Sequence, residues 1–221
     1  MKPLLNILIV DDHPTMIEGY KSIFSSQYDM NDEIRITSVY NCESAYKAIT
    51  SSKVNFDLAI VDMILPPYNS ANLFSGEDIA VLIQKAQPLC KIMMSTSHTE
   101  VYVLYNLIKK INPQGVIVKS DYTSDEFLVA IQEVLNGNAY YSNTAKQSIK
   151  EINHEVNYLD SYNRRIISLL AKGIKTKNLP LHLNISLSAI DKRKAHIREV
   201  FDIQKGTDED IIREARKRGL V

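Results

Sequence analysis

Four short apolar runs in this chain each end on residues that can do chemistry. Leu4-Leu5-Asn6-Ile7-Leu8-Ile9-Val10 runs into Asp11 and Asp12, and Asp57-Leu58-Ala59-Ile60-Val61 runs into Asp62. Lys91-Ile92-Met93-Met94-Ser95 runs into Thr96, and Val116-Ile117-Val118 into Lys119. Such runs alternate here with stretches of helical periodicity, which predicts a doubly wound parallel sheet covered by helices on both faces. In sheets of that kind the carboxyl ends of the strands form the ligand crevice. The terminal residues are therefore expected to converge on one spot. Three carboxylates gathered there repel one another and are costly to bury unpaired. A divalent cation and a lysine ammonium offset that charge, so the spot reads as a metal-assisted phosphoryl site with Asp62 as acceptor.

Each of these residues taken singly has a plainer reading. Asp12 suits a helix cap, because Pro14 fits a first helical turn. Thr96 suits a turn, and Lys119 a solvated surface position. Their ordered recurrence after four separate runs favours the shared site.

Composition sets bounds on the rest. The 221 residues, 45% of them apolar and 24% charged, are ordinary for one large or two small globular domains. The first apolar run is too short for a secretory signal and is broken by Asp11 and Asp12. No other stretch approaches a membrane span. Cys42 and Cys90 are too few for a disulfide framework or a zinc site, so reduced thiols in a cytoplasmic protein are expected. The formal net charge of zero conceals an asymmetry. Residues 1–150 carry 12 basic and 16 acidic side chains, residues 151–221 carry 14 and 10. An acidic front half suits a cation and a basic back half suits a polyanion.

Five strands are predicted near 4–10, 33–39, 56–61, 90–95 and 115–118. Five helices are predicted near 14–26, 42–52, 76–87, 99–110 and 124–136. Thr123-Ser124-Asp125-Glu126 forms a capping-box pattern at the start of the last helix, and Asn136-Gly137 forms a stop. The polar stretch 138–158 reads as a linker, partly helical, between a first domain at 1–137 and a second at 159–221. From about 159 the pattern is helical only. One helix ends at Lys172-Gly173, a short one lies near 178–183, a longer one near 188–201, and a last one opens at Thr207-Asp208-Glu209-Asp210.

These motifs together resemble a two-domain response regulator of the NarL/LuxR type, with a CheY-like receiver followed by a four-helix helix-turn-helix domain. Asp11-Asp12-His13-Pro14, Asp62 with Pro66, Thr96 with His98, and Gly115 with Lys119 stand in the family's order. The resemblance implies that Asp62 takes a phosphoryl group from a sensor histidine kinase. It implies Mg²⁺ held by Asp12 directly, by Asp11 mostly through water, by Asp62 and by the backbone carbonyl of Ile64. Lys119 and Thr96 would contact phosphoryl oxygens, and Thr96 would be drawn inward to switch the face built from helix 99–110 and strand 115–118. His98, two residues on, would tune access of water to the phosphoryl group, while His13 reads as a helix-start residue. Three departures stand out: Gly76 lies ten residues beyond Pro66, so residues 67–75 form a longer loop than usual; Val116 occupies a position that is often aromatic; and Leu65 replaces the usual Met.

The back half matches more distantly, through Leu169-Leu170-Ala171-Lys172-Gly173, Asn184-Ile185-Ser186 and Arg218-Gly219-Leu220-Val221. The helix near 188–201 would be the recognition helix, with Ile190, Ile197 and Phe201 inward. Lys192, Arg193, Lys194, His196 and Arg198 would face double-stranded DNA. Between 172 and 198, seven Lys and Arg oppose only Asp191, which suits phosphate contact. Pro180 is tolerable only in a first helical turn, so Asn178 is expected to cap a shortened helix. The family usually dimerises on DNA. Ile211, Ile212 and Ala215 fit a core-facing stripe or a dimer seam, and the core is the safer reading.

The leading expectation is a phosphorylation-controlled transcription regulator, not an enzyme beyond self-modification at Asp62 and its slow hydrolysis. Two alternatives stay open: a switch whose back half docks a protein instead of DNA, and a regulator that works without phosphorylation.

Overall fold

The computed structural model describes residues 4–28, 34–51, 54–157 and 159–221, the side chains of 153–157 excepted. Glu33, Ser52 and Tyr158, which the expected bounds of a strand, a helix and the linker include, lie outside the described residues. The chain divides into two units: residues 1–99 with 107–146, and residues 100–106 with 147–221.

The first unit is built on a parallel sheet. Its strands are β1 (Leu5–Val10), β2 (Ile34–Val39), β3 (Leu58–Asp62), β4 (Lys91–Thr96), β5 (Gly115–Val118) and β6 (Tyr140–Tyr141), in the spatial order β2-β1-β3-β4-β5-β6. Every residue of β3 and β5 is buried. Strands covered on both faces have no solvent side to mark with polar residues, which is why they read as unbroken apolar runs. The crossovers carry α1 (Pro14–Ser25), α2 (Cys42–Ser51), α3 (Gly76–Ala86), α4 (Val101–Ile111) and α5 (Ser124–Leu135). Pro14 opens α1, where its missing N–H costs nothing. Thr123 and Glu126 form the predicted capping box: the Glu126 N–H donates to Thr123 Oγ1, and the Thr123 N–H donates to the Glu126 carboxylate at 2.8 Å.

One layer of the core joins Ile7, Ile9, Leu58, Ile60, Met93 and Ile117 from the sheet to Tyr20 and Phe24 of α1 and Phe127 of α5. Tyr20 stacks on Phe127 at 4.9 Å between centroids, and Phe24 meets the same ring edge-on at 5.9 Å. Fully burying a phenylalanine contributes about 2–3 kcal/mol, so this trio anchors both helices on the sheet beneath the carboxyl ends of β1 and β3.

The sheet has one strand more than the five apolar runs predict. Tyr140 and Tyr141 pair with Gly115 and Val116; two residues among polar neighbours carry no readable period. The stretch expected as a linker is also largely regular. Beyond β6 it forms α6 (Asn143–Asn157). Ala145, Ser148 and Ile152 are its buried positions among the described side chains, a stripe too thin to stand out in a polar sequence.

The long loop after β3 is ordered. Tyr68 and Leu73 make a one-pair antiparallel bridge, with a 3₁₀ turn at Asn69–Ala71 closed by Asn72 in the left-handed region (φ 54°). Leu73 is buried and Tyr68 packs against Tyr46 of α2. The extra residues are thus folded as a small hairpin.

The second unit contains α7 (Ser161–Ala171), α8 (Leu179–Leu183), α9 (Leu187–Val200) and α10 (Asp208–Lys217). Its core collects Ile166, Ile167 and Leu170 of α7, Leu179 and Leu183 of α8, Ile190 and Ile197 of α9, Phe201, and Ile211 and Ala215 of α10. Asp160 caps α7 by accepting the Asn163 N–H at 2.8 Å, and Ser186 caps α9 by accepting the Ala189 N–H at 3.2 Å. Gly173 ends α7 at φ 82°, a conformation that a side chain would strain. Asn178 precedes α8, but its side chain makes no capping bond. A 3₁₀ turn at Thr176–Asn178 runs directly into the helix instead, and Pro180 sits in the first turn, where no internal donor is needed. Among the described residues, no helix is long and apolar enough to cross a membrane.

Candidate functional site

Strand register brings the acidic and basic residues together. β1 pairs Val10 with Val61 of β3, so Asp11 and Asp62 leave adjacent strands side by side. β3 pairs Asp62 with Ser95, and β4 pairs Thr96 with Val118, so Thr96 and Lys119 follow on the next two strands. The Lys119 ammonium lies 2.9 Å from Asp11 Oδ2 and 3.2 Å from Asp62 Oδ2. Asp11, Asp62 and Thr96 are buried, and Lys119 is 13% exposed.

The charges are unequal in number, and their proton affinities show it. Burial pushes the Asp62 carboxyl up from the ordinary aspartate range; the Asp11 charge adds to that and Lys119 only partly opposes it. Burial pulls the Lys119 ammonium down, but the bond to Asp11 and the charges of Asp62 and Asp11 outweigh it, so the net shift is upward. One ammonium faces two buried carboxylates: it gains from both, and they share it.

The donor set fits a hard divalent cation. Ligand-type atoms of Asp11, Asp12, His13 and Asp62 all lie within 4.8 Å of one another. Asp12 Oδ1 is buried yet accepts no hydrogen bond; the His13 ring nitrogen stands 2.8 Å away but out of line for one. A buried carboxylate oxygen left without a donor is expensive, and carboxylate oxygens are what Mg²⁺ takes. His13 is the N-cap of α1, as its helix-start reading implies, and its ring also joins the acidic group. The Asp-His adjacency in the sequence held that signal.

Gly76 was legible only as a departure in spacing. A Cβ on it would stand 1.8 Å from the carbonyl oxygen of Asp62. The hairpin returns α3 so closely to the end of β3 that only glycine fits, and the Gly76 N–H donates to the Met63 carbonyl at 3.0 Å. The Thr96 hydroxyl accepts the His98 N–H at 3.0 Å and reaches Met63 Sδ at 3.6 Å, a weak acceptor. Below, a hydroxyl chain runs from half-buried Tyr122 through buried Tyr20 to buried Ser95, with steps of 3.3 and 3.0 Å. Burial pushes the Tyr20 phenol far up, so it stays a neutral donor. No sequence period marks that chain.

The basic face of α9 divides. Lys192 and His196 are exposed and Arg198 is half-buried. Arg193 is engaged within the unit: it pairs with Asp160 at 2.6 Å, reaches Asn163 at 3.1 Å and lies over the Tyr162 ring. Lys194 departs from expectation. It is 8% exposed, its ammonium donates to Thr176 Oγ1 at 2.8 Å, and it pairs with Asp208 at the start of α10. Burial raises the Asp208 carboxyl, but the bonds from Lys194 and Thr176 bring it net below the usual range. The reason is periodicity: Ile190, Lys194 and Ile197 are spaced by four and three, which puts Lys194 on the inward stripe. Lys194 joins α9 to α10 and is not an outward cation.

The fold of the first unit is that of a receiver domain. Residues 7–132 match the response regulator receiver domain, and the chain belongs to that family. With its second, helical unit it has the two-domain architecture of NarL/LuxR-type response regulators. It is 25% identical over 214 residues to the oxygen regulatory protein NreC of Staphylococcus haemolyticus (strain JCSC1435), covering 90% of this chain and 92% of that protein. The fold is similar to a structure of the Salmonella typhimurium RcsB response regulator, with a TM-score of 0.64 at 15% identity over 96% of this chain and 98% of the other. It is also similar to RcsB from Salmonella enterica serovar Typhimurium bound to promoter rprA with the phosphomimetic BeF3-. There the TM-score is 0.59 at 15% identity over 96% and 98% of the two chains.

Proposed function

We propose that this chain is a cytoplasmic, phosphorylation-controlled transcription regulator. Residues 1–137, with the sheet completed by β6, carry the phosphoacceptor chemistry, the rest of 138–158 connects, and 159–221 bind double-stranded DNA, as a homodimer. The observation that carries the reading is Asp62 at the end of β3, paired with Lys119 and beside Asp11.

In the proposed reaction an Asp62 carboxylate oxygen attacks the phosphorus of a phosphohistidine on a sensor histidine kinase. The new P–O bond forms as the P–N bond breaks, and the imidazole nitrogen takes up a proton. Mg²⁺ would be held by Asp12, Asp62 and the Ile64 carbonyl, with Asp11 mostly through water, and would supply charge that offsets the phosphoryl oxygens. The Met63 carbonyl is already committed to Gly76, and Ile64 follows it. Lys119 holds a phosphoryl oxygen as a compact cation. Thr96 turns its hydroxyl from a weak sulfur acceptor to a strong phosphoryl one, which is a cheap exchange. The acyl phosphate then hydrolyses slowly; no other catalysis is assigned to the chain.

On the second unit, Lys192, His196 and Arg198 present the outward charge of α9, and Arg193 is held at its edge. Ser186 at the cap and Ile190 and Ile197 in the core fix the helix, so its polar face is preorganised for a major groove. That RcsB is described bound to promoter DNA supports the reading.

The test is DNA binding across a salt series, with and without Mg²⁺ and acetyl phosphate, beside Asp62→Asn. Binding that tightens with the donor in wild type alone supports the switch and its output together. Binding indifferent to donor and variant makes the receiver a scaffold. Absence of salt-dependent binding in either state moves the output to a protein partner for α9.

A further inference from the structure

The loop that carries Lys119 is bonded to the start of α6 at several points. Val118, the last residue of β5, donates its N–H to Ser142 Oγ at 3.2 Å, and Ser142 is 2% exposed. The Ser142 N–H donates to the Val116 carbonyl at 2.9 Å, so Ser142 is bonded to β5 in both directions. Asp121 closes a tight turn over Lys119, its N–H donating to the Val118 carbonyl at 2.9 Å. Both carboxylate oxygens of Asp121 are taken by Thr144: Oδ2 accepts the main-chain N–H and Oδ1 the hydroxyl, each at 2.8 Å. Thr144 lies in the first turn of α6, so Asp121 supplies the cap that a preceding side chain usually provides.

Lys119 therefore sits between two fixed sets of bonds. Its ammonium is held by Asp11 and Asp62, and its own N–H donates to the Thr96 carbonyl at 2.7 Å. Two residues on, the chain is tied to α6. Packed, hydrogen-bonded elements respond to a local charge change by shifting together.

We propose that Asp121 and Ser142 are positioning residues that convert the state of Asp62 into the state of the first turn of α6. The inference rests on the reading of Asp62 as phosphoacceptor. When Asp62 is phosphorylated, the Lys119 ammonium follows the phosphoryl oxygens, the 119–121 turn moves with it, and the cap on Thr144 strengthens or loosens. The chain continues from that turn through α6 into the second unit, so a change in the cap is placed at the covalent entry to the output region.

The experiment uses the full chain, with Mg²⁺ and acetyl phosphate as the probe. Label on Asp62 and amide hydrogen exchange at Thr144, Ala145 and Lys146 are followed together. In wild type, exchange at these amides should change on labelling. In Asp121→Ala, labelling should proceed as in wild type, while basal exchange rises about fivefold, as for a lost cap of ordinary strength, and no longer responds to the donor. Asp121→Asn keeps an oxygen acceptor for the Thr144 N–H and should restore the response, which a general loss of folding would not allow. Ser142→Ala removes the hydroxyl that accepts the Val118 N–H and also bonds Asp121, and should likewise blunt the response. Labelling of wild type without any exchange response overturns this inference alone, as does a full response in Asp121→Ala. Absence of label removes the phosphoacceptor reading, and this inference with it.

Discussion

Gly76 and Asp62 meet backbone to backbone: a Cβ on Gly76 would stand 1.8 Å from the Asp62 carbonyl oxygen. The obstacle is main chain on a buried strand, which has little room to yield. Gly76→Ala should therefore cost about 3 kcal/mol, at the upper end for overpacking, and should slow labelling of Asp62 by acetyl phosphate. Urea unfolding reads the first effect and label incorporation the second. A variant with unchanged midpoint and rate would show that α3 can move away freely.

Asp62→Asn should stabilise the protein at neutral pH. The folded carboxyl titrates above its unfolded value, with burial as the main cause and Asp11 adding. Ionised Asp62 therefore costs native stability. That cost is absent below the unfolded aspartate pKa, grows as pH rises through the window up to the folded value, and is complete above it. The gain from Asn should accordingly be present at pH 7 and shrink toward acid. Denaturant midpoints at several pH values would show this, and a gain that grows toward acid would contradict it.

Asp12 carries a buried oxygen with no donor, next to Asp11 and Asp62. Asp12→Asn should weaken Mg²⁺ binding by at least about tenfold, the loss seen even for outer partners of a metal site. The chain has no tryptophan, so titration calorimetry is the suitable measurement. Equal affinities in the two proteins would place the ion elsewhere.

Lys192 and Lys194 should behave differently, although both are lysines on α9. Lys194→Ala should cost about 2 kcal/mol of stability in the second unit, less than a fully buried pair because Asp208 is 33% exposed. Its effect on the salt slope of DNA binding should be nil. Lys192→Ala should leave stability unchanged and lower that slope by about one. The opposite pattern would mean that α9 turns another face to its ligand.

Leu73 and Phe74 make a similar contrast in the hairpin after β3. Leu73 is buried and Phe74 is 58% exposed. Leu73→Ala should cost about 2 kcal/mol, while Phe74→Ser should stay within about 0.5 kcal/mol. Similar midpoints for the two variants would indicate that the hairpin does not pack.

What the sequence revealed was whatever had a period or a terminus. The ends of β1, β3, β4 and β5 could be read because each apolar run stops abruptly at Asp11, Asp62, Thr96 or Lys119. The Thr123–Glu126 cap was legible because two residues three apart define it. Tyr140-Tyr141 was not, since a two-residue strand depends on its neighbour in space. Lys194 could have been placed inward from its spacing to Ile190 and Ile197, but its charge outweighed its position in the reading. The Asp121–Thr144 and Val118–Ser142 bonds join residues more than twenty positions apart, and no local pattern encodes them.

The short β6 strand has a practical consequence. It covers the outer side of β5, whose residues are all buried. Cutting the chain at residue 137 would remove it and leave Gly115 and Val116 as an open, apolar sheet margin, the kind of surface on which separate molecules add strand to strand. A receiver fragment made for biochemistry should run through Lys146, where the first unit closes. A shorter fragment would be expected to self-associate for a reason unrelated to signalling.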